Sequence, residues 1–263
     1  MSETALKILP LQSGTIYGPV ESRRLGLSLG INLLPFGYKL CSFNCLYCQY
    51  GWTSKPTLKP ADQITDLPRP ADVSAALEAS LQKIVRRRKK VDCITFSGNG
   101  EPTLHPELAE IIAAAKRVRD RYLPEAKLAI LSNSSTVGRE EVRAALQMLD
   151  LKIMKLDAGS EDLLRRLNCP AFPFYLGEIV AGLKSLTDIT LQSIFVQGRV
   201  TNTDPDSLEQ WLEKVREIRP SLVQVYSLDR VPAEKRLWKV NLPTLQWIAS
   251  QVRWRAGVPA EFY

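Results

Sequence analysis

The residues of this sequence best suited to chemistry are three cysteines close together in the chain, Cys41, Cys45 and Cys48. Their spacing is C-x3-C-x2-C, and thiolates spaced in this way bind zinc or an iron–sulfur cluster. A structural zinc site usually needs four ligands, commonly from two separated pairs. Here Cys93 and Cys169 each stand alone, and the one histidine of the chain is not close to the triplet. Three thiolates leave one iron of a four-iron cluster open to a small molecule, so the spacing favours an iron–sulfur cluster.

A second feature is the glycine-rich turn 97–102, which reads Ser-Gly-Asn-Gly-Glu-Pro. Glycine takes positive φ at little cost and lets the backbone approach a ligand closely. Taken alone, the turn is explained as well by an ordinary connection between a strand and a helix.

Polar residues recur at the ends of later predicted strands, namely Asn133, Ser134, Lys155, Asp157 and Gln192. Such residues contact ligands in some folds, but they also satisfy turns and helix caps. Asp157 in particular is placed equally well to cap the helix that is predicted to follow it.

The elements that must position these residues are alternating strands and helices, which begin at about residue 26. The predicted strands are 27–34, 92–96, 127–131, 151–156, 189–196 and 222–228, and the predicted helices are 72–90, 106–122, 139–149, 161–167, 176–186, 206–218 and 243–255. Alternation of this kind indicates a parallel sheet with right-handed crossovers. Functional residues of such folds lie at the carboxyl ends of the strands. The cysteines, the glycine-rich turn and the polar residues all follow strands and are expected on one rim.

Six strand–helix units are fewer than the eight of a closed barrel. The predicted fold class is therefore α/β, a partial (β/α)6 TIM-like barrel with short N- and C-terminal extensions. The chain has 263 residues, of which 45% are hydrophobic and 24% are charged, as in an ordinary globular domain. We expect a single domain over 1–263, with a core at about 26–230 and extensions at 1–25 and 231–263.

The segment Cys41-x3-Cys45-x-Tyr47-Cys48, with an aromatic residue before the last cysteine, resembles the cluster motif of radical S-adenosylmethionine (SAM) enzymes. The resemblance covers most of the chain, because that superfamily has the same alternating order in a partial barrel. It implies that the three cysteines hold a [4Fe–4S] cluster and that SAM chelates its fourth iron. It also implies an oxidoreductase-type reaction, in which one electron cleaves SAM to a 5′-deoxyadenosyl radical that abstracts hydrogen from a substrate. A reductant such as flavodoxin or ferredoxin would supply the electron.

The same resemblance implies which residues bind SAM. The family has a Gly-Gly-Glu-Pro-like turn where this chain reads Asn99-Gly100-Glu101-Pro102. Asparagine replaces the first glycine, and asparagine tolerates the left-handed region better than most residues. The residues expected to contact SAM are Tyr47, Gly98, Asn99, Gly100, Glu101, Asn133, Lys155, Asp157 and Gln192. No catalytic residue is assigned from the sequence.

Three segments are more particular, 17–31, 48–51 and 226–230, and they resemble a subgroup related to the wyosine-tRNA synthases, which rebuild a guanine of tRNA. A tRNA base is therefore one candidate substrate, and a small molecule is another. Many of those enzymes have upstream cysteines for a second cluster, and this chain has none before Cys41. Two alternatives stay open. One is an activase that makes a glycyl radical on a partner protein, and the other is a non-catalytic iron–sulfur electron-transfer protein that binds no SAM.

The net charge of +7 is compatible with RNA as a partner and equally with a solvated basic surface. The basic run 86–90 either complements a helix dipole or contacts phosphates. Arg23 and Arg24, just before the first predicted strand, either reach an anionic substrate or form surface ion pairs. His105 is expected near a helix start, where a rim position is favoured over a proton-donating role.

The expected location is the cytoplasm. An odd number of cysteines, five in all, indicates a reducing compartment rather than a disulfide framework. No apolar run approaches the roughly 20 residues of a membrane helix, and the N-terminus lacks a signal-peptide pattern. We expect no membrane partner.

Overall fold

The computed structural model describes residues 8–58 and 64–263, and strands alternate with helices along most of this chain. The strands are β1 (Ile16–Ser22), β2 (Gly26–Ile31), β3 (Leu40–Cys41), β4 (Lys55–Pro56), β5 (Cys93–Phe96), β6 (Lys127–Ser132), β7 (Leu151–Lys155), β8 (Ile189–Ile194), β9 (Val196–Gly198), β10 (Leu222–Tyr226), β11 (Leu237–Lys239) and β12 (Ala260–Phe262). The α-helices are α1 (Pro70–Arg86), α2 (Leu108–Tyr122), α3 (Glu140–Leu146), α4 (Glu161–Asn168), α5 (Leu176–Lys184), α6 (Pro205–Ile218) and α7 (Leu242–Gln251). A 3₁₀ turn, Pro102–Leu104, follows β5, and a π-helical turn, Val252–Ala256, continues α7.

Eight of the strands form one sheet, in the order β1-β2-β5-β6-β7-β8-β10-β12. Within this sheet β1 is antiparallel to β2, and all other neighbouring strands are parallel to each other. Strand order follows chain order, and each parallel connection carries at least one helix, as in a (β/α) barrel. Within the described residues β1 and β12 do not pair with each other, so the barrel stays open. The predicted partial barrel is confirmed.

The sheet is longer than the predicted core at both ends. All six predicted strands are present, with bounds that shift by up to three residues. β1 and β12 lie in the predicted extensions, yet both join the main sheet. β1 is a partly exposed edge strand that contains Pro19, and β12 has three residues, so neither has the apolar run that marks a buried strand.

The two faces of the sheet differ in chemistry. Ile94, Phe96 and Leu128 are almost fully buried and belong to the apolar core that includes the helix residues. Lys155 of β7 is in register with Gln192 of β8, which in turn is in register with a glutamine of β10. Residues in register share a face, so this layer of polar side chains lies on one side of the sheet, the interior of the barrel.

No helix in the described ranges is both long enough and apolar enough to cross a membrane. The cytoplasmic location stays a prediction.

Candidate functional site

The cysteine loop, residues 41–48, follows β2 and is tied to three other parts of the fold. The Leu40 amide donates to the carbonyl of Asn99 in the glycine-rich turn at 2.9 Å. The Leu46 amide donates to the carbonyl of Leu167 at the end of α4 at 3.0 Å, and the Glu234 amide donates to the Leu46 carbonyl at 2.8 Å. These backbone bonds fix the loop on the rim that the sequence predicts. Its first two cysteines are buried and the third is half-buried.

A side-chain N–H donor from a different residue lies near each sulfur of the cysteine loop. Lys39 Nζ lies 3.0 Å from Cys48 Sγ. Asn133 Nδ2 lies 3.5 Å from Cys41 Sγ, and Asn168 Nδ2 lies 3.7 Å from Cys45 Sγ. The three donors come from the residue two positions before the loop, from the residue that follows β6 and from the last residue of α4.

The protonation of these groups reflects burial. Burial raises the pKa of the Cys41 thiol to about 11 and also raises the pKa of Cys45. For Lys39, burial favours the neutral amine, but Cys48, Cys41 and Cys45 outweigh it and raise its pKa. Burial therefore favours neutral thiols at Cys41 and Cys45, beside an ammonium group that would stabilise thiolates.

No group of three or more His, Cys, Asp or Glu side chains in residues 8–58 and 64–263 is arranged around one metal ion. Zinc requires all its ligands within about 2.0–2.3 Å of a single point. In an iron–sulfur cluster each thiolate binds a different iron, so the thiols do not have to converge. The arrangement therefore fits the cluster better than zinc.

Asp157 joins the cysteine loop to the strand ends. Its carboxylate is fully buried and accepts hydrogen bonds from the Tyr47 hydroxyl, from Asn168 Nδ2 at 2.8 Å and from the Ile194 amide at 3.0 Å. Burial and the Asp157 charge together raise the pKa of Tyr47 well above its usual value. Asp157 does not cap α4, because Ser160 does so.

Lys155 extends this network towards the barrel interior. Its Nζ lies 3.1 Å from Asp157 Oδ1 and donates to the Tyr226 hydroxyl at 2.6 Å. It also lies 5.0 Å from the centroid of the Tyr47 ring. Burial would lower the pKa of Lys155, but the Asp157 and Tyr226 oxygens raise it, so the ammonium form persists.

The glycine-rich turn differs from its prediction in one respect. Gly98 and Gly100 have φ of 136° and 144°, but Asn99 between them does not have positive φ. The contribution of Asn99 comes from its side chain, which is fully buried and hydrogen-bonded. Its Nδ2 donates to the carbonyls of Gln12 and Pro35 at 2.9 and 2.8 Å, and its Oδ1 accepts from the Gln12 amide at 2.7 Å. The asparagine thus ties the N-terminal segment to the cysteine loop.

Glu101 couples this turn to the end of β6. Its buried carboxylate accepts from the Thr103 amide at 3.0 Å and from the Asn133 amide at 2.6 Å. Burial raises its pKa above the usual value for glutamate. Glu101 therefore holds Asn133, whose side chain contacts Cys41.

Two more residues singled out from the sequence lie in the interior. Gln192 is buried and donates to Gln224 Oε1 at 3.1 Å. Ser134 has a φ of 67° and donates to the Lys155 carbonyl at 2.8 Å. The structure thus brings two sets of predicted residues to the cysteine loop, the glycine-rich turn with Asn133 on one side and Asp157 with Lys155 on the other.

Two other candidates, His105 and the basic run 86–90, lie outside the site. His105 is buried, with Nε2 3.0 Å from the Pro68 carbonyl and Nδ1 accepting from the Glu107 amide, and burial lowers its pKa. The basic run 86–90 lies between α1 and β5, at the amino ends of the strands.

Three residues of the site were not predicted. Lys39 precedes Cys41 by two positions, and a lysine beside clustered thiols is a signal that sequence reasoning could have used. Tyr226 lies in a segment that carried the family resemblance but was not assigned a role. Asn168 has no local signal, since its contacts to Cys45 and Tyr47 span more than 120 positions of sequence.

A family model described as the radical SAM superfamily matches residues 37–175, which include the cysteine loop, the glycine-rich turn and Asp157. The chain therefore belongs to the radical SAM superfamily and is an enzyme of that type. The resemblance predicted from the cysteine motif is confirmed.

The chain is 32% identical over 223 residues to a UPF0026 protein of Methanocaldococcus jannaschii. The match covers 83% of this chain and 65% of the relative, so the chain spans less than two thirds of that protein's length.

Solved structures share the fold. A radical SAM methyltransferase from Sphaerobacter thermophilus superposes with a TM-score of 0.66 and 15% identity over 90% of this chain and 65% of the other. TYW1, solved with a lysine–pyruvate adduct bound, superposes with a TM-score of 0.61 and 17% identity over 86% of this chain and 72% of the other. The predicted likeness to wyosine synthase relatives is thus confirmed at the level of fold.

Proposed function

We propose that Cys41, Cys45 and Cys48 hold a [4Fe–4S] cluster and that the chain binds SAM beside it to start a radical reaction on a substrate. The observation that carries the proposal is that each of the three sulfurs lies near a side-chain N–H donor from a different residue. Donors aimed at sulfur stabilise anionic thiolates, and hydrogen bonds to sulfur are among the factors that set a cluster's potential.

The three cysteines and Lys39 also fit a [4Fe–4S] cluster in number and in charge. Three thiolates would leave one iron without a protein ligand, and the Lys39 ammonium would offset part of the negative charge. Burial of two of the thiols limits access of water to the site. When bound and reduced, the cluster would supply the electron that cleaves SAM to a 5′-deoxyadenosyl radical, which takes hydrogen from the substrate.

The protein's own contribution is positioning. Asp157 holds the Tyr47 hydroxyl and Lys155 Nζ together, so the end of β7 and the cysteine loop form one wall of the proposed SAM site. Gly98 and Gly100 lie on the other side, where their backbone could approach the ligand. Glu101 and Asn99 would act as supports, since the protein already uses their polar atoms.

The proposed substrate class to be tested first is a tRNA base. The likeness to TYW1 and the net charge of +7 support it, although the basic run 86–90 lies at the opposite end of the strands from the cysteine loop. A reductant such as flavodoxin or ferredoxin would supply electrons, as the superfamily requires.

The test is to load the chain with iron and sulfide without oxygen, to reduce it with dithionite, and to quantify bound iron and 5′-deoxyadenosine formed from SAM. We expect about four irons per chain, and we expect Cys45→Ser to lose both iron and SAM cleavage. Cys169→Ser is the matched control, because that thiol is half-buried and hydrogen-bonded to the Arg166 carbonyl rather than to the site. A Cys45→Ser variant that still cleaves SAM would overturn the proposal.

A further inference from the structure

Arg24 lies in the turn between β1 and β2, and this turn reaches across the open side of the barrel. Its neighbour Arg23 forms an ion pair with Asp229, which follows β10 more than 200 residues later in the chain. Asp229 also pairs with Lys239 at 3.3 Å. These contacts hold the turn against the carboxyl end of β10, on the same side as the cysteine loop.

In this position the guanidinium of Arg24 is stacked on two tyrosines. Its central carbon lies 4.6 Å from the ring centroid of Tyr226 and 5.6 Å from that of Tyr263. Tyr226 also receives the hydrogen bond of Lys155, which touches Tyr47 of the cysteine loop. A continuous set of contacts therefore leads from the cysteine loop to Arg24.

The guanidinium of Arg24 contacts the two tyrosine rings but has no ion-pair partner among the described residues. Its Nη1 is buried and has no hydrogen-bond partner among the described residues, whereas Arg23 is paired with Asp229 and Lys155 with Asp157. A buried donor left without an acceptor costs free energy, more so when it is charged. Such a donor persists in a folded protein where a ligand or water supplies the acceptor.

The surroundings indicate what kind of acceptor fits. Gln224 precedes Tyr226 by two positions on β10 and so shares its face of the sheet, with Gln192 beside it on β8. A guanidinium fork matches the planar carboxylate group. The single guanidinium of Arg24 suits a ligand with a single negative charge. An RNA backbone would engage several cations at once, but Arg23, Lys155 and Lys239 are already paired with carboxylates.

We propose that Arg24 binds the carboxylate of a small-molecule substrate or co-substrate in the barrel interior. The inference rests on the proposed function, since the acid would lie beside the cysteine loop where SAM chemistry is expected. It names a chemical class of substrate for that site.

The test is an NMR titration of the full chain labelled with ¹⁵N-arginine and ¹⁵N-tyrosine, before and after loading with iron and sulfide. The probes are sodium acetate and sodium dimethyl phosphate, both singly charged at neutral pH, with sodium chloride at equal ionic strength as reference. We expect acetate to shift the Arg24 side-chain signal and the Tyr263 amide signal saturably, with a dissociation constant on the order of 10 mM for a charge-assisted hydrogen bond. The Arg24 signal is assigned by its loss in Arg24→Gln.

Two variants separate binding from general charge effects. Arg24→Gln should abolish the saturable shift at the Tyr263 amide, and Arg24→Lys should weaken it because lysine lacks the planar fork. Arg117→Gln, on the exposed face of α2, removes the same charge and should leave the shift unchanged.

A saturable response to dimethyl phosphate alone would overturn the proposal in favour of a phosphodiester, and no saturable response to either probe would overturn it outright. The titration does not need a cluster. Acetate binding without iron uptake would therefore refute the proposed function alone, and iron uptake and SAM cleavage without acetate binding would refute this inference alone.

Discussion

Lys39 Nζ lies 3.0 Å from Cys48 Sγ and 2.8 Å from the carbonyl of Gly51, in a buried position two residues before the cysteine loop. A buried ammonium is costly unless it is paired. When the sulfurs of the loop are thiolates, they are the negative partners of the Lys39 ammonium. The buried lysine therefore supports the proposal that the loop holds a cluster through thiolates.

Replacing Lys39 with methionine removes this cation while keeping an unbranched side chain. We expect the reduction potential of the loaded cluster to fall by roughly 60–130 mV, the equivalent of one charge-assisted hydrogen bond. The measurement is a potentiometric titration followed by electron paramagnetic resonance. Lys116→Met, at an exposed position of α2, is the control and should leave the potential unchanged. An unchanged potential in Lys39→Met would show that Lys39 does not act on the cluster.

Gly100 is required by the backbone at the site. A Cβ atom at this position would lie 1.7 Å from the Leu40 carbonyl oxygen, and the φ of 144° is one that other residues rarely adopt. Gly100→Ala should therefore lower the free energy of unfolding by about 1–3 kcal/mol or more and displace the cysteine loop. Urea unfolding measures this effect. Gly138→Ala, where a Cβ would meet nothing within 4 Å, should be neutral or stabilising by up to about 1 kcal/mol. Equal costs for the two variants would contradict the close approach at Gly100.

Asp157→Asn keeps the shape of the side chain but removes its charge. It would leave the largely buried Lys155 ammonium without its anion, so we expect a loss of about 3–5 kcal/mol in the free energy of unfolding. Because Asp157 raises the pKa of Lys155 above its unfolded value, this contribution is fully present at neutral pH and is lost only as pH rises above about 10.5. Asp162→Asn, which breaks the exposed pair with Arg166, should cost less than about 1 kcal/mol. Chemical unfolding at pH 7 that ranked the two variants equally would contradict the role of Asp157.

The pH dependence of the free energy of unfolding should reflect the ionisation of the Glu234 carboxyl. The backbone amide of this residue holds the cysteine loop. Hydrogen bonds from Arg236 and Arg199 lower the pKa of its carboxyl to about 2. A group with a lowered pKa stabilises the fold above its unfolded pKa, about 4.5, and loses that contribution as pH falls towards 2. The stability difference between the wild type and Glu234→Gln should thus be constant above about pH 5 and shrink below it. Urea unfolding at several pH values measures the difference, and a difference that grew towards acid would be the opposite result.

Much of the fold was predictable because its signals are local. The buried strands around Ile94, Leu128 and Val223 are short apolar runs, and the helices show apolar residues at helical spacing. β1 was not predicted, because Pro19 and the exposed residues of this strand leave no apolar run. Its pairing with β2 in the folded protein makes it a strand.

The site was predictable where a motif carries it and not where the fold brings distant residues together. The cysteines, Asp157 and Lys155 stand at strand ends that the sequence already marks. Asn168 reaches the site through contacts that span more than 120 positions, and no pattern near it indicates this. Arg24 was singled out as a residue that either reaches an anionic substrate or forms a surface ion pair, but its stacking on Tyr226 depends on the fold. Asn99 was noted as a departure from glycine, but its role in binding Gln12 and Pro35 depends on the packing of three loops.

The most direct test of the central claim is the electron paramagnetic resonance spectrum of the chain, loaded with iron and sulfide without oxygen and reduced with dithionite, recorded with and without SAM. A cluster held by three cysteines with one open iron should give a signal that changes when SAM is added, and the same sample should contain 5′-deoxyadenosine. A cluster signal that is identical with and without SAM, and no 5′-deoxyadenosine, would contradict the proposal and favour an electron-transfer role.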